Sequence, residues 1–143
     1  MSVREEILDL AAQMSGQAKD LIDPSDILGS CKLEGDDATE FLEAFAQEFR
    51  ADMSNLQWEY HFKADEPPPK HRRVLPISKD GNVIPFQPIT LDDLESAAVK
   101  SRWVYQYPAY EIRIFWLYRP WVWVALCVLG AGTLLTVSVL AGL

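Results

Sequence analysis

Apolar positions recur along this chain with helical spacing in its first half. Val3, Ile7, Leu10, Ala11 and Met14 fall on one face, and Ser2 with Glu5 three residues on forms a capping box. A first helix is therefore predicted. A polar loop from Gly16 to Gly35 follows, turned by Asp23-Pro24-Ser25-Asp26, with Leu21, Ile22, Ile27 and Leu28 expected to point inward. A second helix is predicted to open at Asp36 or Asp37, with Glu40 in the capping position for the latter. Its apolar face is Ala38, Phe41, Leu42, Phe45 and Phe49. Its outer face carries Glu40, Glu43, Gln47 and Glu48. A short third helix after Ser54 contributes Leu56, Trp58, Tyr60 and Phe62.

The rhythm then changes. Lys63 to Arg73 contains Pro67-Pro68-Pro69 and reads as a loop. Val74 to Gln87 places Asp80-Gly81 between two apolar runs, a hairpin signal, and Pro76 and Pro85 would confine those strands to edges. A fourth helix is predicted from Thr90, capped with Asp93, burying Leu91, Leu94 and Ala98. From Trp103 to Arg119 aromatics crowd the sequence. The period there leaves interfacial helix, strand and an extension of the following helix all open, because Ile112, Ile114, Trp116 and Tyr118 alternate.

From Pro120 to Leu143 no residue is charged. A helix over that run would reach roughly 36 Å, longer than a hydrocarbon core of about 30 Å. The run reads as a C-terminal transmembrane helix, with Pro120 in its first turn. Arg113, Trp116, Tyr118, Arg119, Trp121 and Trp123 would form its membrane interface. Lys100, Arg102, Arg113 and Arg119 all precede the run, so the positive-inside rule places the N-terminal domain in the cytosol, at the inner membrane. Cys127, Ala131, Ser138 and Gly142 share a narrow stripe, a face for self-association if helices pack there, although a plain lipid-facing anchor explains the run equally well.

Composition narrows the function classes. The 143 residues suffice for one small domain, and the net charge of −8 lies wholly before Pro120. That balance argues against nucleic-acid binding and suits a basic partner. Cys31 and Cys127 imply no disulfide scaffold. His61 and His71 lack partners at metal-ligand spacing, and Asp36-Asp37 lacks the spacing of a calcium loop, so no metal is expected. His61 reads as the polar member of an aromatic helix. No phosphate loop, nucleophile elbow or paired-histidine motif is present, so neither an enzyme nor a cofactor is expected.

The stretch from Leu33 to Phe49, above all Ala44-Phe-Ala-Gln-Glu-Phe49, is similar to the second helix of acyl carrier proteins. With Gly35-Asp-Asp-Ala-Thr-Glu-Phe-Leu, Trp58-Glu-Tyr-His-Phe and Pro88-Ile-Thr-Leu-Asp-Asp-Leu, the chain from Ser2 to Trp103 resembles an uncharacterised bacterial family of unknown function with an acyl-carrier-like core. The resemblance implies a mainly α fold: a small acyl-carrier-like helical bundle over 1–103 with a hairpin-bearing insertion at 63–89. An aromatic juxtamembrane segment over 104–119 and the transmembrane helix over 120–143 would follow. It also implies where a prosthetic group would sit. Gly35 occupies the place of the carrier serine and has no hydroxyl to bear a phosphodiester. Ser30 is the nearest substitute, without the following leucine.

In carrier proteins this helix docks onto basic patches. The resemblance thus makes Glu34, Asp36, Asp37, Glu40, Glu43 and Glu48 a candidate partner-binding surface. A capped, solvated helix start explains the same residues about as well. The leading expectation is a non-enzymatic, membrane-anchored protein-protein interaction module. The rival is a membrane-bound acyl carrier or acyl-chain-binding component of lipid metabolism.

Overall fold

A computed structural model of the chain describes residues 1–63 and 72–116. One compact unit comprises Met1–Asp65 and Val74–Arg113, and a second comprises Glu66–Arg73 and Ile114–Leu143. The first carries the helices found among the described residues.

Helix α1 (Val3–Ser15) starts where the sequence says it should. The Ser2 hydroxyl accepts the Glu5 N–H at 3.3 Å and the Ser2 N–H donates to the Glu5 carboxylate at 3.1 Å. A short 3-10 turn (Lys19–Leu21) and helix α2 (Ile27–Ser30) occupy the loop, α2 being capped by Asp26, which accepts the Gly29 N–H at 2.9 Å. Helix α3 (Asp36–Glu48), helix α4 (Trp58–His61) and helix α5 (Leu91–Lys100) complete the set among the described residues. The Thr90–Asp93 capping box opens α5.

Helix α1 packs against α5 and α3. Ile7, Phe41, Phe45 and Leu94 are fully buried at 0% exposure, and Ile27, Ile89 and Leu91 close the core around them. Burying side chains of this size stabilises by about 1.5–3 kcal/mol each, which outweighs anything on the surface. The solvent-facing ion pairs of Arg4 with Asp92 (2.5 Å) and Glu95 (2.7 Å) also tie α1 to α5, but pairs screened by water contribute little beside the core.

Backbone clips fix both ends of α5. At its start, Ile27 N–H donates to Ile89 carbonyl at 3.2 Å and Leu91 N–H to Pro24 carbonyl at 2.8 Å. At its end, Asp52 and Arg102 form a parallel bridge, with Trp103 N–H on the Asp52 carbonyl at 2.8 Å.

The expected fold class needs correcting. The described chain is mixed α/β, because β1 (Arg72–Ser78) and β2 (Tyr110–Trp116) pair as a two-stranded antiparallel sheet. The expected hairpin turn does form. Gly81 adopts φ 83°, Ser78 N–H donates to Asn82 carbonyl at 2.9 Å, and Ile77 bridges Val83. The returning arm stops there: Pro85 and Pro88 supply no N–H for a ladder, so β1 takes β2 as its strand partner instead.

No helix among the described residues is long and apolar enough to cross a membrane. The span expected over 120–143 lies outside the described residues, so the tail-anchored, single-pass expectation has no helix among the described residues to rest on. The first rings of the aromatic segment belong to the core. Trp103 is buried, Tyr105 and Tyr107 pack against the core, and β2 begins at Tyr110, so these rings serve the protein interior.

Smaller differences have local causes. Leu21 is 63% exposed, because the 3-10 turn points it outward while Ile22 takes the inward place. In α5 the buried alanine is Ala97, with Ala98 at the margin. Helix α3 has no carboxylate cap. Its N-cap is Gly35 at φ 58°, ψ −125°, a conformation that L side chains rarely adopt.

Candidate functional site

Two polar regions stand out, and they are built in opposite ways. The first is the start and outer face of α3. Ala38, Phe41, Leu42 and Phe45 anchor the helix from below, which leaves Glu34, Asp36, Asp37, Glu40, Glu43 and Glu48 all exposed. Among the described residues none of these carboxylates forms an ion pair. Asp36 and Asp37 lie in the first turn, where the helix dipole favours negative charge.

The positions tied to a prosthetic group look structural. The φ of Gly35 leaves little room for a serine there without strain. The Ser30 hydroxyl is held in the loop: it accepts the Asp23 N–H at 3.0 Å and donates to the Ile27 carbonyl at 3.1 Å.

The residues expected at a membrane interface separate. Arg113 lies on β2, exposed, 3.6 Å from Glu111, and Trp116 ends β2. Tyr118, Arg119, Trp121 and Trp123 lie outside the described residues.

The second region was not assembled by sequence reasoning. His61, on α4, is the one buried polar or charged side chain among the described residues. Its Nδ1 lies 2.8 Å from the Gln87 carbonyl and its Nε2 2.9 Å from the Tyr107 hydroxyl. That hydroxyl also accepts the Gln57 N–H at 3.1 Å and the Trp103 indole N–H at 2.8 Å. The Tyr110 hydroxyl donates to the Gln57 side-chain carbonyl. The rings of Tyr60, Trp103 and Tyr105 surround the imidazole edge-on, with centroids 5.4, 5.9 and 5.1 Å away.

Burial holds the His61 imidazole below its ordinary value of 6.5, against smaller upward pulls from the Gln87 carbonyl and the Asp93 charge. Burial also pushes the Tyr105 hydroxyl up to about 12, helped by neighbouring Tyr60. The one sequence signal for this region is the aromatic density of Trp58-Glu-Tyr-His-Phe62 and of Trp103 to Tyr110. The contacts join residues up to 53 apart, so density alone does not pair them.

Beside this cluster opens a cleft of about 550 Å³ lined by Gln57, Lys100, Arg102, Trp103, Tyr105 and Tyr107 among others. Its charged lining is cationic, opposite in sign to α3.

The family model described as Protein of unknown function (DUF1493) matches residues 2–106. The chain belongs to this family. The expectation of an uncharacterised family of unknown function is thus met, and the matched span holds α1 to α5, His61 and Trp103. No curated protein and no solved structure matches the chain. The acyl-carrier-like core attributed to the family therefore has no counterpart in these comparisons.

Proposed function

We propose that this family member is a non-enzymatic protein-interaction module. Its docking surface is the acidic start and outer face of α3, and its partner is a protein with a basic patch. The observation that carries the reading is the exposure of Glu34, Asp36, Asp37, Glu40, Glu43 and Glu48 together, without cationic partners among the described residues. Exposed charge of one sign steers a basic partner into encounter and adds specificity more than raw affinity.

A non-catalytic role draws support from His61, whose two ring nitrogens are both committed to hydrogen bonds inside the fold. The carrier alternative has less behind it, given a positive φ at position 35 that suits glycine and would strain a serine, and the engaged hydroxyl of Ser30.

Replacing Glu40 and Glu43 with lysine tests the reading. Partner capture should weaken while circular dichroism stays unchanged, and added salt should weaken capture by the native chain, since exposed charges are screened beyond about 10 Å at 0.1 M. Capture that survives charge reversal would move the docking surface elsewhere. Intact-mass analysis of the purified chain should show no phosphopantetheine, and a modified Ser30 would restore the carrier reading.

A further inference from the structure

Hydrogen-bond accounting around His61 leaves one arrangement of protons. The Gln87 carbonyl can only accept, so the proton between it and the imidazole sits on Nδ1. The Tyr107 hydroxyl has one hydrogen and two lone pairs. The Gln57 N–H and the Trp103 indole N–H fill both lone pairs, so its hydrogen points at His61 Nε2. The two ends give the same answer: a neutral imidazole protonated at Nδ1 alone.

A second proton has no place in this network. An imidazolium would present an Nε2–H to a hydroxyl oxygen with no free lone pair. Either Gln57 or Trp103 must lose its acceptor, or Tyr107 must move away. Each of these three residues lines the cleft. We propose that His61 is a proton switch: protonation at Nε2 releases Tyr107 from its present partners and loosens the cleft wall built from Gln57, Trp103 and Tyr107.

Aromatic rings enclose the imidazole. From α4 comes Tyr60, and from the segment after α5 come Trp103, Tyr105 and Tyr107. From α5 comes the charge of Asp93, the carboxylate that acts on His61. That carboxylate is committed to the capping box, accepting the Thr90 N–H at 3.0 Å and the Thr90 hydroxyl at 2.7 Å. It draws the proton in from a distance without replacing the bond that Nε2 loses. The backbone adds a further link, since Gln87 N–H donates to the Tyr60 carbonyl at 3.1 Å. The segment before α5 is thus held to α4 through both backbone groups of Gln87.

The test is a pH titration of the full chain labelled with ¹⁵N, followed by NMR. At pH 7.5 the His61 ring should show a protonated Nδ1 and a bare Nε2. As pH falls below 6.5, the Trp103 indole N–H and the Gln57 amide should shift with the same midpoint as His61, while far-UV circular dichroism stays constant. In His61→Gln the Trp103 and Gln57 transition should vanish, and in His71→Gln it should remain. If His61→Gln fails to fold, the co-titration in the native chain decides by itself. A ring protonated at Nε2 at pH 7.5 would overturn the switch. So would a Trp103 indole that stays fixed while His61 titrates, or a transition that persists in folded His61→Gln.

Discussion

The acidic face of α3 and the clamp around His61 both place polar side chains against the same hydrophobic core, and they treat water differently. On α3 the carboxylates stay in solvent, unpaired among the described residues, while the fold is held from below by Phe41 and Phe45. At the clamp the imidazole is 6% exposed, and both ring nitrogens have partners. Charge left in water contributes little to folding, so it is available to another molecule. Polar atoms taken out of water are stable only when fully hydrogen-bonded, so they bind the fold to one protonation state.

Truncation beneath the acidic face should have the largest effect. Phe41→Ala removes a fully buried ring and should destabilise the chain by about 3–5 kcal/mol in denaturant unfolding. A much smaller loss would mean that α3 is not anchored through this face.

The clamp comes next. Tyr107→Phe keeps the ring and deletes the hydroxyl, leaving Gln57 N–H, Trp103 indole N–H and His61 Nε2 without that partner. Of these, Trp103 and His61 are buried, and a buried group left unsatisfied costs about 1–3 kcal/mol, so the variant should lose about that much. A neutral result would show that water replaces the hydroxyl and that the clamp is wet.

Acid should separate the two regions without mutation. The fold holds His61 neutral where the unfolded chain, at the ordinary value of 6.5, already takes a proton. The unfolded state therefore binds more protons, and this contribution to stability is complete above about 6.5 and lost as pH falls through the lowered folded value. Melting temperature should drop across that window in the native chain and less in His61→Gln. Asp23 and Asp52, held below 3.8 by hydrogen bonds from Ser25 and Ser54, lose their contribution only in stronger acid. An identical pH profile in both chains would take His61 out of the account.

The smallest effect belongs to the solvent side of α3. Glu43→Ala should change stability by less than about 0.5 kcal/mol. An effect near that of Phe41→Ala would erase the contrast between the two faces of the helix.

Much of the helical frame was legible because its causes are local. Ser2 with Glu5 and Thr90 with Asp93 sit three residues apart, so the capping boxes that open α1 and α5 can be read from spacing alone. The same holds for the core face of α3, where Ala38, Phe41, Leu42 and Phe45 repeat at the helical period. The exposure of the acids on the other face followed from that period too. The turn at Asp80-Gly81 was also legible, since its geometry belongs to the dipeptide and its neighbours.

Pairing across the chain was not legible. Whether Ile112 to Trp116 form helix or strand depends on whether a partner strand is at hand, and β1 reaches β2 only once α5 has brought the chain back. His61 could be recognised as the polar member of an aromatic helix. Its hydrogen-bond partners Gln87 and Tyr107 lie 26 and 46 residues further on, and no local rule selects them. The sequence by itself determined the capped helices, their buried faces and the acidic surface, because those depend on neighbours one turn away. Only the tertiary structure decided the β1–β2 sheet and the proton arrangement at His61. Both require hydrogen-bonding groups to meet across long loops, and the gain from that meeting does not exist until the core has closed.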